Sequence, residues 1–332
     1  MTRPTRVALA LGSGGARGYA HIGVIEVLEE RGYEIVCLAG SSMGALVGGL
    51  HAAGRLGAFA DWSRTLTQRD VLRLLDPSLK APGAFRGEKI LARVSELLGG
   101  ALIEDLRIPF TAVATDLHAS KEVWFQQGPV ETAIRASIAL PGVMTPVMVD
   151  GHLLADGGLM NPVPVAAITA ARADITVAVS LGGDRTGGPG RRPAHESVVL
   201  RPAEELLDRL RRTVDQVREI DLPRFTASHR IPGHSASPEA SLQLETVDVA
   251  EALPPGLRTI DVVNLSIEAM QNLLTRYRLA SNPPDVLITA PVDACGTLDF
   301  HLAADMIRLG RDLAVDALDL AELPEDAPTH RD

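Results

Sequence analysis

The sequence predicts an α/β fold, a mainly parallel central sheet with helices packed on its faces. Three observations carry that expectation. The chain opens as a short apolar run, a glycine loop, a helical pattern, a second apolar run, a tight turn and a second helical pattern, an order that makes the two strands parallel. Further short apolar runs recur downstream at Phe110 to Ala114 and Ile175 to Leu181. Hydrophobic residues make up 46% of the chain but aromatics only 3%, so the core must be built from Ala, Val, Leu and Ile, which suit close helix-on-sheet packing.

Element by element, Arg6 to Leu11 reads as a buried strand, Gly12 to Gly18 as a loop, and His21 to Glu30 as a helix carrying Ile22, Ile25 and Leu28 at helical spacing. Ile35 to Ala39 is the second strand and Met43 opens the second helix. No Asp, Glu, Lys or Arg occurs from Ile35 to Ala53, a run near membrane-spanning length. Gly40, Ser41, Ser42, Gly44, Gly48 and Gly49 interrupt it, which favours a buried strand, a sharp turn and a buried helix. Val147 to Ala155 reads as a hairpin turning at Asp150-Gly151. Asp285 to Thr289 is a late strand and Phe300 to Leu320 a closing helix. Between them the composition changes. Leu206, Leu207, Leu210, Val214 and Val217 mark one amphipathic helix, and Ile260, Val263, Ile267, Met270, Leu274 and Tyr277 a second. Ala227 to Gly256 is rich in Ser, Pro and Glu. The organisation expected is a single domain over residues 5–320, a helical and loop insertion at 183–258 whose helices pack on the core, form a lid or join subunits, with packing on the core favoured, and a flexible tail at 321–332.

The 332 residues suffice for a sizeable core. The net charge of -10 argues against nucleic acid as a partner, and it restricts any membrane contact to a local, transient one. The two cysteines, Cys37 and Cys295, form no disulfide framework or metal cluster and favour a reducing compartment; Cys37 reads as a buried small hydrophobe. No secretory signal is visible, since Val7 to Leu11 is too short an apolar run. The expected location is therefore cytoplasmic, peripheral to a membrane at most. The oligomeric state is left open.

Three motifs carry chemistry. Gly40-Ser41-Ser42-Met43-Gly44 is a G-x-S-x-G between a strand and a helix, the context of a nucleophile elbow, and it points to Ser42. Gly12-Ser13-Gly14-Gly15-Ala16-Arg17-Gly18 offers clustered backbone N–H groups. A dinucleotide fingerprint would need glycine where Arg17 stands, and the G-K-[ST] ending of a P-loop is missing. An oxyanion hole is the better use, with Gly14 and Gly15 supplying N–H groups. Asp156-Gly157-Gly158 follows the hairpin; alone it is a tight turn, but a serine needs a base. Histidine is the usual base. His195, His229 and His234 lie in polar insertion sequence, His301 begins the last helix, His152 sits in the hairpin and His21 starts a helix, so none stands out.

With these motifs in this order, the sequence resembles the patatin-like phospholipases, especially short bacterial members. Ala136-Ser137-Ile138-Ala139-Leu140-Pro141 and Thr297-Leu298-Asp299-Phe300-His301 also resemble family segments. The resemblance implies a three-layer α/β/α sandwich and hydrolysis of lipid acyl esters without metal or organic cofactor. It implies a Ser42–Asp156 dyad, an oxyanion hole of Gly14, Gly15 and Met43, and motif glycines at Gly12, Gly18, Gly40, Gly44, Gly157 and Gly158. Arg17 is read two ways, as electrostatic support for the site or as the partner of a carboxylate. The implied substrate is a lipid or another acyl ester. Transfer of the acyl group to an alcohol, thioester cleavage, and a regulatory protein with a vestigial site stay open as rivals. The chemical demand is on Asp156: a free aspartate has a pKa near ~4, so burial must raise its basicity or the oxyanion hole must carry much of the work.

Overall fold

The computed structural model describes residues 3–76, 83–85, 87–185 and 259–321. All but the edges of the insertion and the tail, the helix pattern at Leu206 to Val217 included, lie outside the described residues.

Ten strands are described: β1 (Arg6–Leu11), β2 (Glu34–Ser41), β3 (Gly83–Phe85), β4 (Phe110–Asp116), β5 (Lys121–Phe125), β6 (Gly142–Met144), β7 (Val147–Val149), β8 (His152–Asp156), β9 (Ile175–Gly183) and β10 (Val286–Pro291). The helices are α1 (Ala20–Glu30), α2 (Met43–Ala52), α3 (Leu56–Arg64), α4 (Gln68–Leu75), α5 (Glu88–Leu98), α6 (Val130–Ser137), α7 (Thr259–Ser281) and α8 (Ala303–Leu320). The main sheet runs in the order β10-β9-β1-β2-β4-β8-β7, with β5 also on β4, while β3 and β6 pair separately. From β10 to β4 every pairing is parallel, and β5, β8 and β7 add an antiparallel arm. The expected parallel sheet forms its five-strand core, and the antiparallel arm makes the whole a mixed sheet.

Strand alternation makes the two faces unequal. On one face, Val7, Leu9 and Leu11 pack with Ile22, Ile25 and Leu28 of α1, Val47 and Leu50 of α2, and Met306 and Ile307 of α8. On the other, Ala8, Ala10, Ala39 and Ala178 lie against Val163, Val165 and Ile168, with Leu279 of α7 packed alongside. Alanines there let a short 3-10 turn, Val165–Ile168, approach the strands closely. Cys37 belongs to this thinner layer and is only half-buried, short of the core burial expected for it. The uncharged run from Ile35 is β2 and α2. Every residue of α2 except His51 is buried, which explains its uniform apolarity without a membrane. No described helix is long and apolar enough to cross a membrane.

The second amphipathic pattern does form a helix, α7, but its apolar set is split, with Ile267 and Leu274 partly buried. Val263, Met270 and Tyr277 from its apolar set are exposed, whereas Glu268, Gln271, Thr275 and Arg278 face inward and are partly buried.

Strand registers place the chemistry. Ala112 and Val113 of β4 pair with both β2 and β5, so those strands lie on opposite edges of β4. Ala114 to Asp116 pair with both β5 and β8, so β8 shares the edge used by β2. β2 ends with Ser41 opposite Val113, and β8, running the other way, ends with Asp156 opposite Ala114. The two strands thus meet end to end, and the residues at the junction are Ser42 and Asp156.

Candidate active site

Ser42 stands between β2 and α2 at φ 56 and ψ -123. That conformation costs a non-glycine residue roughly 1–3 kcal/mol and persists only where its surroundings enforce it. Two features do so. A Cβ on Gly40 would collide with the backbone of Gly44, and one on Gly44 with the carbonyls of Leu11 and Gly12, so both glycines are needed for strand, loop and helix to touch. Ser42 N–H donates to Ser137 Oγ at 2.8 Å, and Ser137 Oγ donates to Val113 O at 2.6 Å. Met43 opens α2, so its N–H has no acceptor within the helix.

Ser42 Oγ donates to Asp156 Oδ2 at 2.5 Å, and Gly158 N–H donates to Asp156 Oδ1 at 2.7 Å. Asp156 N–H is held by Ala139 O at 3.0 Å, and its carbonyl accepts from Thr115 Oγ1 at 2.9 Å. Both side chains are buried, Ser42 at 8% and Asp156 at 2% exposure. Burial pushes the Asp156 carboxyl up from 3.8 to about 6, against the lowering effect of its two hydrogen bonds. The basicity that a lone aspartate lacks is thus supplied by desolvation. No described histidine bonds to either residue. His152 pairs with Asp116 at 2.6 Å, and His21 is buried with Nε2 2.8 Å from Gly12 O. Since a carbonyl only accepts, Nε2 carries the proton, and burial holds the ring neutral with a pKa lowered to about 4. His301 lies in the short turn before α8, and His195, His229 and His234 fall outside the described residues.

The glycine loop is fastened at three points: Gly12 N–H to Val179 O at 2.9 Å, Ser13 N–H to Pro162 O at 2.8 Å and Ala16 N–H to Thr297 O at 2.9 Å. Between them, the N–H groups of Gly14 and Gly15 have no backbone acceptor among the described residues. Gly15, at φ 58, lines the same cavity as Ser42, Met43 and Asp156. Gly14 lines a separate, small open cleft with Arg17. Backbone or side-chain atoms of neighbouring segments occupy the space a Cβ would need on Gly12, Gly18, Gly157 and Gly158. Arg17 is buried, donating to Val292 O and lying 3.4 Å from Glu268. It is absent from the lining of the Ser42 cavity, so its charge is spent on the far side of the loop.

The Ser42 cavity holds about 910 Å³ of space between its walls, with the open mouth included. Its walls are apolar, with Leu46, Phe59, Trp62, Leu74, Leu91 and Met144 among them, and Ser42 and Asp156 sit in that lining. Tyr19 also lines it, its hydroxyl kept neutral by burial that raises its pKa to about 12. Among the described residues, no group of three or more His, Cys, Asp or Glu is placed to hold a metal ion. Sequence reasoning missed Ser137 and Thr115 as supports of the two central residues. The one signal for Ser137 was its place in the Ala136 to Pro141 stretch.

Residues 9–168 match the family model described as patatin-like phospholipase. Proteins of Mycobacterium bovis and Mycobacterium tuberculosis, each called an uncharacterized NTE family protein, are 48% identical over 342 residues, covering 97% of this chain and 93% of the relative. The human patatin-like phospholipase domain-containing protein 6 is 34% identical over 184 residues, 53% of this chain and 13% of its own.

Proposed function

Since the chain belongs to the patatin-like phospholipase family, we propose that it is a serine acyl hydrolase of lipids in which Ser42 is the nucleophile and Asp156 the base. The observation that carries this reading is the Ser42 Oγ to Asp156 Oδ2 hydrogen bond, made within the lining of a large apolar cavity. Such walls suit a fatty acyl chain, and they offer few polar groups that could orient a sugar or a peptide.

In the first step Ser42 Oγ attacks the ester carbonyl carbon while its proton passes to Asp156 Oδ2. The carbonyl oxygen becomes an oxyanion facing the N–H groups of Gly15 and Met43, which line the same cavity as Ser42. The bond to the leaving alkoxide then breaks, and the alkoxide takes the proton from Asp156. Water next attacks the acyl-serine, gives a proton to Asp156, and Ser42 regains it as the fatty acid departs. Gly158 N–H stays on Oδ1 throughout, so Oδ2 alone handles the proton. The base works only when ionised. With its carboxyl near 6, kcat/KM rises with pH through about 6 and then levels.

The test is a purified protein with a short-chain nitrophenyl ester and a fluorophosphonate probe. Ser42→Ala abolishes both turnover and labelling, and Asp156→Asn loses roughly 100- to 10,000-fold in kcat/KM, the range for a general base. Full activity in Asp156→Asn would remove the dyad.

A further inference from the structure

We propose that α7 is a clamp on the catalytic loops and that Arg278 is its chief positioning residue. The helix lies outside residues 9–168, where the family model matches, yet its inward face reaches both loops of the site. Glu268, Gln271, Thr275 and Arg278 recur at the spacing of one helical face. From Glu268 to Arg278 the face runs about 15 Å at 1.5 Å per residue.

At its far end Arg278 Nε donates to Met160 O at 2.9 Å, and Nη2 pairs with Glu122. The other Glu122 oxygen accepts from Asn161 Nδ2 at 2.8 Å and from Trp124 Nε1 at 2.9 Å. Asn161 O in turn accepts from Ser41 Oγ at 2.6 Å, and Ser41 directly precedes the nucleophile. One guanidinium therefore fixes the turn that follows Asp156 and, through Asn161, ties that turn to the strand end carrying Ser42. At the near end Glu268 holds Arg17 of the oxyanion loop. Between them, a Cβ on Gly158 would stand 2.5 Å from Ser13 Oγ and 2.9 Å from Gln271 Nε2, so helix, oxyanion loop and D-G-G turn converge there.

The pairs are not deeply buried: Arg278 is 30% and Glu122 18% exposed at the side chain. Their contribution to stability is accordingly small, and what they supply is geometry. A planar fork holds a carbonyl and a carboxylate on two segments at once. A lysine ammonium reaches one of them but lacks the fork that spans both.

The test rests on the Ser42–Asp156 reading and is arranged to separate the two. Arg278→Lys and Arg278→Ala are compared with Arg276→Ala, an exposed neighbour on the outer side of α7. Turnover is normalised to sites titrated by a fluorophosphonate, and amide exchange is followed over residues 157–161. Both Arg278 variants should lose about 10- to 100-fold in kcat per titrated site, the range for a small misplacement of reacting groups. KM should hold within about twofold, the melting temperature should barely move, and residues 157–161 should exchange faster. Arg276→Ala should match the parent. Unchanged kcat per site and unchanged exchange in both Arg278 variants overturn the clamp. If the parent neither turns over ester nor takes the probe, the dyad reading falls, and amide exchange alone decides the clamp.

Discussion

Ser137 answers two needs with one hydroxyl. It accepts the N–H of Ser42 and donates to the carbonyl of Val113, with no solvent exposure. In Ser137→Ala both backbone groups are left buried without a partner, a loss of about 1–3 kcal/mol for each group so stranded. We expect a lower urea midpoint and a fall of roughly tenfold in kcat per titrated site, with KM held, because the elbow loses its anchor while the cavity walls stay. A kcat equal to the parent's would mean that the glycine contacts alone hold the elbow. The contrast with Ser42 shows what a sequence can reveal at this scale. The elbow's demands are local: a strand, two glycines that must touch backbone, a helix start, all within Gly40 to Gly44. Ser137 serves a backbone N–H 95 residues away, and no spacing rule announces that. Arg17 shows the reverse. Its place in the glycine loop allowed either support for the site or a carboxylate partner, and Val292 and Glu268, from the far end of the chain, draw it to the other side in favour of the second.

Among elements, α1 and α8 pack backbone to backbone through glycines. A Cβ on Gly23 would strike the carbonyl of Ile307 and the N–H of Arg311, and one on Gly310 the carbonyl of Ala20. Arg311 then bonds Glu26 and Glu30 across the same seam. For Gly310→Ala two effects compete. Helix propensity gains about 1 kcal/mol, while overpacking costs about 1–3 kcal/mol. The obstacle is backbone, which no side-chain rotation relieves, so overpacking wins and the denaturation midpoint should fall. A rise would mean that the helices separate without penalty. Local periodicity located these elements well: β1 has the bounds expected of it, and α1 begins one residue earlier than read. For α7 it gave the helix but not the polar residues, Glu268 to Arg278, that share its inward side. A pattern of Val263, Met270 and Tyr277 says which residues share a face. Which face turns inward is decided by Arg17 and Glu122, more than a hundred residues upstream, which pair with Glu268 and Arg278. The end-to-end meeting of β2 and β8 was hidden for the same reason, since strand order is a non-local property.

Across the whole molecule, Asp156 pulls stability with pH in one direction, and the buried His21 and partly buried His51 pull it in the other. The folded pKa of Asp156 is raised from 3.8 to about 6, so its contribution is fully present below 3.8 and is lost as pH rises through about 6. Burial lowers His21 and His51 from 6.5 to about 4; their contribution is fully present above 6.5 and is lost as pH falls through about 4. Within that window the two effects partly cancel in the parent protein. Asp156→Asn removes one side of the balance. The asparagine can still accept from Gly158 N–H through its oxygen and donate from its amide to Ser42 Oγ, so both hydrogen-bonding positions remain filled. At pH 7 the parent carries a buried, ionised carboxylate and the variant does not. From 3.8 to about 6, at 1.36 kcal/mol per pKa unit, the variant should be more stable by roughly 3 kcal/mol. At pH 4 the unfolded carboxyl is still partly ionised, so the gap shrinks to under about 1 kcal/mol, and it closes well below 3.8, where folded and unfolded parent are both protonated. Urea denaturation of the two proteins at pH 4 and pH 7 measures the difference, and carboxylates common to both cancel from it. A gap equal at the two pH values would show that the ionised carboxylate is not what costs the fold its stability. A gap that opens between them, together with lost turnover, would show the base is kept reactive by the burial that destabilises it.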